Sequence, residues 1–167
     1  MFETIMTRRS VRQFADQAVT QEQVERLLQA AVMAPSAVNA QPWHFIVCDD
    51  KELFRQFQQA HPYSKMLDQA PLLILVCGDT EKQAGPLFYL EDCAAATENL
   101  LLAAHAMGLG GCWLGVPPQS KREEQIAKIF GLPAHIKPFC GVALGVPASQ
   151  PQQPERKLDG LVHKNVW

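Results

Sequence analysis

Three of the seven arginines of this 167-residue chain fall within five consecutive positions: Arg8, Arg9 and Arg12, in the stretch RRSVRQF (8–14). A solvated helix face spreads like charges apart, so this spacing points to an anion as their partner. Guanidinium forks deliver paired, charge-assisted hydrogen bonds, a geometry suited to phosphate. A second stretch, APSAVNAQPWHF (34–45), gathers Ser36, Asn39 and Gln41 between Pro35 and Pro42. These polar side chains donate and accept in fixed directions, either toward a ligand or toward their own backbone as turn chemistry.

Other chemistries lack support. The cysteines, Cys48, Cys77, Cys93, Cys112 and Cys140, are odd in number, form no C-x-x-C pair and sit in apolar sequence. They read as reduced, buried, small hydrophobes. The histidines, among them His44 beside Trp43 and His105 on an alanine-rich segment, have no metal-ligand spacing, so no metal is expected. No catalytic Ser/His/Asp or Cys/His motif occurs, and GLGG lacks the spacing of a Walker or dinucleotide fingerprint. A net charge of -2 without a long basic run argues against nucleic acid. The longest strongly apolar stretch, APLLILVCG (70–78), is far below the ~18 residues that suggest a membrane span. The N-terminus has no apolar core of signal-peptide length. The expectation is therefore a cytoplasmic protein without a membrane partner.

The elements that must position these residues alternate along the chain. Phe2, Ile5 and Met6 predict a short amphipathic helix running into the arginines. Thr20–Gln23 has the form of a capping box, followed by Val24, Leu27, Leu28 and Ala31 at helical spacing up to Ala34-Pro35. HFIVC (44–48) and LLILVC (72–77) read as buried strands, with Leu53, Phe54 and Phe57 marking a helix between them. Leu90 to Met107 predicts a long helix closed by Gly108. Its alanines, Ala94, Ala95, Ala96, Ala103 and Ala104, suit either a core helix or a subunit interface. GCWLGV (111–116) and PFCGVALGVP (138–147) predict two more strands, separated by a helix that opens on a second capping box at Ser120–Glu123 and stops at Gly131. Then periodicity is lost in PASQPQQPERK, which reads as an extended arm, before Leu158, Leu161, Val162 and Trp167 resume an apolar pattern. The length predicts a single domain over 1–167, with 149–167 as its C-terminal arm. Charged residues make up 19%, below the usual figure of about 25%, which leaves room for an apolar surface of self-association.

Together RRSVRQF, APSAVNAQPWHF, GLGGCWLGV and ERKLDGLVH resemble the nitroreductase family of FMN-dependent oxidoreductases, in the family's order and from Arg8 to His163. The resemblance implies an α+β fold with a central, mostly antiparallel sheet flanked by helices, a C-terminal arm that extends to the partner subunit, and a homodimer with FMN at the interface. It implies that Arg8 and Ser10 hold the phosphate and ribityl end, with Arg9 beside them, and that Arg12 stands near the pyrimidine edge. Pro35, Ser36, Ala37, Asn39 and Gln41 match the loop that lines the ring and ribityl chain, part of which comes from the partner subunit. Leu114 and Gly115 lie where backbone groups approach the ring; several larger relatives carry an acidic residue at the position of Gly115. Arg156 matches the late basic residue that closes on the phosphate, with Lys157 as its neighbour, and Lys65 matches a lysine near the ribityl chain of some relatives.

The implied activity is electron transfer from NADH or NADPH, by a ping-pong scheme, to a nitroaromatic, quinone or similar electron-poor acceptor. The chemistry resides on FMN, so no protein nucleophile is expected, and Arg12 serves as electrostatic support. Other flavin chemistry occurs on the same fold, including dehalogenation and flavin fragmentation. A non-catalytic FMN-binding or storage protein is a further alternative.

Overall fold

The computed structural model describes residues 1–149, 151–152 and 155–167. Gln150, Gln153 and Pro154, which belong to the expected arm, lie outside the described residues.

Four strands form one antiparallel sheet in the order β1-β2-β4-β3: β1 (Trp43–Cys48), β2 (Leu72–Asp79), β3 (Gly110–Gly115) and β4 (Ile136–Gly145). The helices are α1 (Phe2–Thr7), α2 (Gln21–Val32), α3 (Lys51–Ala60), α4 (Phe88–Ala106) and α5 (Lys121–Ile129), with short 3-10 turns at Ala37–Asn39 and Lys65–Asp68. The α+β layout expected from the sequence is the one observed.

β2 explains why its run is apolar without alternation. Leu73, Leu75 and Cys77 point into one core with Phe54 and Phe57 of α3 and Ile126 of α5. Leu72, Ile74 and Val76 point into a second core with Leu27 of α2 and Cys93 and Leu100 of α4. Helices cover both faces of the sheet, so both sets of side chains leave water. β1 differs from the buried strand expected. It lies at the sheet edge, and while Trp43 and Cys48 are buried, His44 and Val47 are exposed. A side chain on an edge strand is covered only where a helix reaches that far.

The caps follow the sequence closely. Thr20 Oγ1 accepts from the Gln23 amide at 3.2 Å, and the Gln23 side chain accepts from the Thr20 amide at 2.9 Å, completing the box. Ser120 Oγ accepts from the Glu123 amide, but the Glu123 carboxylate turns to the amide of Gln119 instead of Ser120, so only half of the second box forms. Gly108 (φ +76) and Gly131 (φ +62) follow α4 and α5 in the left-handed conformation that glycine adopts without strain. Within α4, Ala96 and Ala104 are fully buried and serve the core reading of the alanine run.

α1 and the C-terminal residues show the opposite. Phe2, Leu158, Leu161, Val162 and Trp167 are all exposed. The apolar residues of the arm therefore do not dock on the core of their own chain. Among the described residues no helix is long and apolar enough to cross a membrane.

Candidate functional site

The arginine segment is tied to the sheet by its backbone. The Val11 amide donates to the carbonyl of Gly111 at 3.0 Å, Ala15 to Val146 at 2.8 Å, and Ala148 to Gln13 at 3.0 Å. Ser10 pairs with Gly111 as an isolated parallel bridge. The segment can approach because Gly110 has no side chain: a Cβ there would lie 2.5 Å from Val11 Cγ2. The segment thus meets β3 at Ser10 and Val11 and the chain beyond β4 at Phe14. Val11 and Phe14 are buried, while Arg12 is exposed.

Arg12 opens onto a cleft of about 700 Å³ between this segment, the end of β3, and the connection after α3. That volume lies within the roughly 300–1,000 Å³ common for small-molecule and cofactor sites. Lys65, Leu114 and Gly115 line it as well, so the structure brings Arg12, Lys65, Leu114 and Gly115 to one place. Three cationic side chains, Arg12, Lys65 and Arg122, face the cleft, with Asp68 as the acidic one on its lining. Asp68 is itself engaged by Gln58 Nε2 at 2.8 Å. The balance favours an anionic or electron-rich ligand edge.

The other expected residues lie elsewhere in the single chain. Arg8 Nε pairs with Glu98 on α4 at 3.2 Å. Arg9 donates to the Arg8 carbonyl, its Nε is buried without a hydrogen-bond partner, and it lines a smaller cavity of about 90 Å³ beside Thr7 and His105. Ser10 is held on the bridge to β3. Arg156 and Lys157 are exposed, and Lys157 Nζ lies 3.7 Å from its neighbour Glu155.

Pro35, Ser36, Ala37, Asn39 and Gln41 form a separate, tightly wound loop that is not on the cleft lining. Ser36 Oγ accepts from the Gln41 amide at 3.0 Å, and the Ala37 amide donates to Asp92 Oδ1 on α4 at 2.9 Å. Val38, Asn39 and Gln41 all have positive φ, at 47°, 58° and 48°. For the β-branched Val38 this is a strained conformation of order 1–3 kcal/mol. Strain of this kind persists where surrounding contacts enforce it, and the Asp92 and Ser36 bonds do so. Trp43, just beyond the loop, is a buried core aromatic.

Several cleft residues carried no signal in the sequence. His61 follows the last turn of α3, where its amide donates to the Phe57 carbonyl at 2.8 Å and its own carbonyl accepts from the Ser64 amide and hydroxyl. Its ring stacks on Phe57 with centroids 5.6 Å apart, and Nε2 lies 3.1 Å from the Gly115 carbonyl. Burial lowers its pKa below the ordinary 6.5, and the Arg122 charge adds to that, against the opposing hydrogen bond to Gly115. The ring is therefore neutral at physiological pH, with Nε2–H donated to Gly115. Arg122, in the first turn of α5, donates to the same carbonyl at 3.3 Å, and its Nε is buried without a partner. Tyr63 meets His61 edge to face and stands exposed at the mouth.

Three cations against one carboxylate, Asp68, which Gln58 already engages, suit a flavin's electron-rich pyrimidine edge. At Gly115 a Cβ would meet nothing closer than Trp113 Nε1 at 3.9 Å, so the backbone there is open to close approach by a flat ring. The residues fit the group.

The nitroreductase family model matches residues 5–61 and 54–146. A protein of Methanothermobacter thermautotrophicus, provisionally named NADH dehydrogenase/NAD(P)H nitroreductase, is 40% identical over 167 residues, covering 100% of this chain and 87% of its own length. A crystal structure of a Parabacteroides distasonis protein with the same provisional name superposes with TM-score 0.94 at 36% identity, covering 99% of this chain and 98% of that one. A protein of Desulfovibrio desulfuricans, provisionally named a nitroreductase and solved in complex with FMN, superposes with TM-score 0.86 at 31% identity, covering 99% of this chain and 96% of that one. The sheet order, the arginine segment on the β3 edge and these matches lead to one assignment: the chain belongs to the nitroreductase family.

Proposed function

We propose that this chain is an FMN-dependent NAD(P)H oxidoreductase, working as a homodimer with 1–167 as one FMN-binding domain. The observation that carries the reading is the cleft that unites Arg12, Lys65, Leu114 and Gly115. When bound, FMN supplies the redox chemistry, taking electrons from a reduced nicotinamide and passing them to an acceptor.

The chain's own residues bind and orient. Arg12 and Lys65 place positive charge at one edge of the cleft, where negative charge on a ligand is stabilised without reorganisation. The exposed backbone of Gly115 is held by His61 and Arg122 through its carbonyl, which fixes the floor of the site. Arg8, Arg9 and Ser10 continue the same segment toward the phosphate end, and Arg156 with Lys157 close on it from the arm over 149–167.

A second subunit completes this assembly. Neither the 35–41 loop nor any described residue of the arm lines the cleft of its own chain, and the apolar residues Phe2, Leu158, Leu161 and Trp167 are exposed. Burial of such residues is what an obligate dimer supplies. With the cleft open on one side, donor and acceptor occupy it in turn, a ping-pong scheme, and the acceptor is a nitroaromatic, a quinone or a similarly electron-poor molecule.

Anaerobic mixing of the purified yellow protein with NADH or NADPH tests the reading. The flavin absorbance should bleach and return on addition of a nitroaromatic or quinone, and initial-rate plots should be parallel. No bleaching by either nicotinamide would contradict the oxidoreductase reading, and intersecting plots would contradict the ping-pong scheme.

A further inference from the structure

Away from the cleft, β2 ends in a buried carboxylate that is incompletely paired. Asp79 is 5% exposed. Its Oδ1 accepts from the Glu81 amide at 2.9 Å. Oδ2 receives no hydrogen bond from any described residue; His44 Nε2 and Lys82 Nζ stand off from it at 3.7 and 3.9 Å. A carboxylate at so little-exposed a position, with basic side chains close by, is a natural place for a cation to be drawn in.

Three backbone segments converge on this carboxylate, and the sheet holds each in place. His44 opposes Cys77 across β1 and β2, and Asp79, two residues further along, shares the face of Cys77. His44 and Asp79 are therefore diagonal neighbours on one face. On the other side Asp79 opposes Ile136 of β4, and the residue before it, His135, accepts at its carbonyl from the amide and hydroxyl of Thr80 at 2.9 and 3.0 Å. The ligand atoms of Asp79, Glu81 and His135 all lie within 4.8 Å of one another.

We propose that His44, Asp79, Glu81 and His135 form a binding site for a divalent transition-metal cation of the zinc class. Two imidazoles and two carboxylates suit Zn²⁺, Co²⁺ or Ni²⁺, whereas Mg²⁺ and Ca²⁺ take oxygen ligands. Donors about 2.0–2.2 Å from a tetrahedral metal sit roughly 3.3–3.6 Å apart. The 3.7 Å between Asp79 and His44 is already near that separation. Glu81 is exposed and His44 half-exposed, so both have rotameric freedom to close the remainder. Lys82 shares Asp79 Oδ2 and competes with a cation. The sequence hid the site because its donors stand at positions 44, 79, 81 and 135, brought together only by strand pairing. The Asp79 amide also donates to the Pro42 carbonyl at 2.8 Å. A cation here staples the exit of the 35–41 loop to the ends of β2 and β4.

Calorimetric titration of ZnCl₂ into the purified, tag-free full chain tests the proposal, with Co²⁺ absorbance reporting the coordination geometry. The expected result is saturable binding of about one Zn²⁺ per chain, a raised melting temperature, and tetrahedral Co²⁺ bands. Glu81→Gln, at an exposed position that leaves the fold intact, and His135→Gln should each weaken binding by about tenfold or more. Lys82→Ala should tighten it by removing the competing charge. Absence of saturable binding at micromolar Zn²⁺, or binding unchanged by both Glu81→Gln and His135→Gln, would overturn the proposal.

Discussion

His61 Nε2 lies 3.1 Å from the carbonyl oxygen of Gly115, so the end of α3 is locked to the last residue of β3 across the floor of the cleft. Because the imidazole is buried against Phe57, it resists protonation more than a free histidine does. In the unfolded chain the ring gains its proton near pH 6.5, and in the folded chain only at lower pH. Between those values the unfolded state binds more protons, so stability is full above the ordinary histidine pKa and is lost as pH falls through the depressed one. Thermal unfolding of the wild type and of His61→Phe across this range should show the wild type losing more stability on acidification. The remaining histidines are common to both proteins and cancel in the difference. Parallel curves would contradict the assignment.

Gly110 and Gly115 bound the same strand and should respond in opposite ways to alanine. At Gly110 the new methyl would meet Val11 Cγ2 at 2.5 Å, against a residue fixed by its bond to Gly111. Gly110→Ala should cost about 1–3 kcal/mol in denaturant unfolding. At Gly115 the methyl has open space, so Gly115→Ala should change stability by less than about 0.5 kcal/mol. Its effect should appear in flavin affinity, measured by fluorescence titration.

The contrast between those glycines shows where sequence reading stops. β2 was legible because LLILVC has no polar face, and α2 because its capping box and apolar spacing agree. HFIVC reads as a buried strand because it is apolar, yet β1 lies at the sheet edge, and edge position is a property of strand order with no local signature. The spacing of the arginines marks a candidate anion site; Arg12 opens onto a cleft with Lys65, Leu114 and Gly115, whereas Arg8 pairs with Glu98 and Arg9 lines a separate cavity. His61 and Arg122 were not legible. Their role comes from converging on one carbonyl across more than fifty residues of separation in the case of His61, and neither belongs to a motif. The half-formed box at Ser120 shows the converse, a local motif redirected by the Gln119 amide.

Arg8 and Arg12 should separate binding from tuning. The Arg8–Glu98 pair is partly exposed, so its loss in Arg8→Ala should cost less than about 1 kcal/mol of folding stability. Flavin affinity should fall by roughly 1.5–3 kcal/mol, the value of a charge-assisted bond. Arg12→Ala, at saturating FMN, should lower the midpoint potential of the bound flavin and slow its bleaching by NAD(P)H. Unchanged potential and rate would mean that Arg12 does not face the flavin's electron-rich edge.

The cysteines should be silent. All five are buried and free. Burial pushes Cys77 up to about 12, and Cys93 and Cys140 higher still, so no thiolate is present at neutral pH. Cys112, on the cleft lining, is raised by burial against the opposing charge of Arg12. A thiol reagent such as DTNB should give no fast labelling of the native protein and full labelling after denaturation. Fast native labelling would point to an activated cysteine and away from chemistry confined to FMN.

The central claim, that these residues hold FMN, is tested most directly by flavin content. Protein expressed in flavin-replete cells is purified, heated to release its cofactor, and the supernatant resolved by chromatography. The account predicts FMN at about one molecule per chain. Recovery of FAD, or a colourless protein that fails to quench added FMN fluorescence, would contradict it.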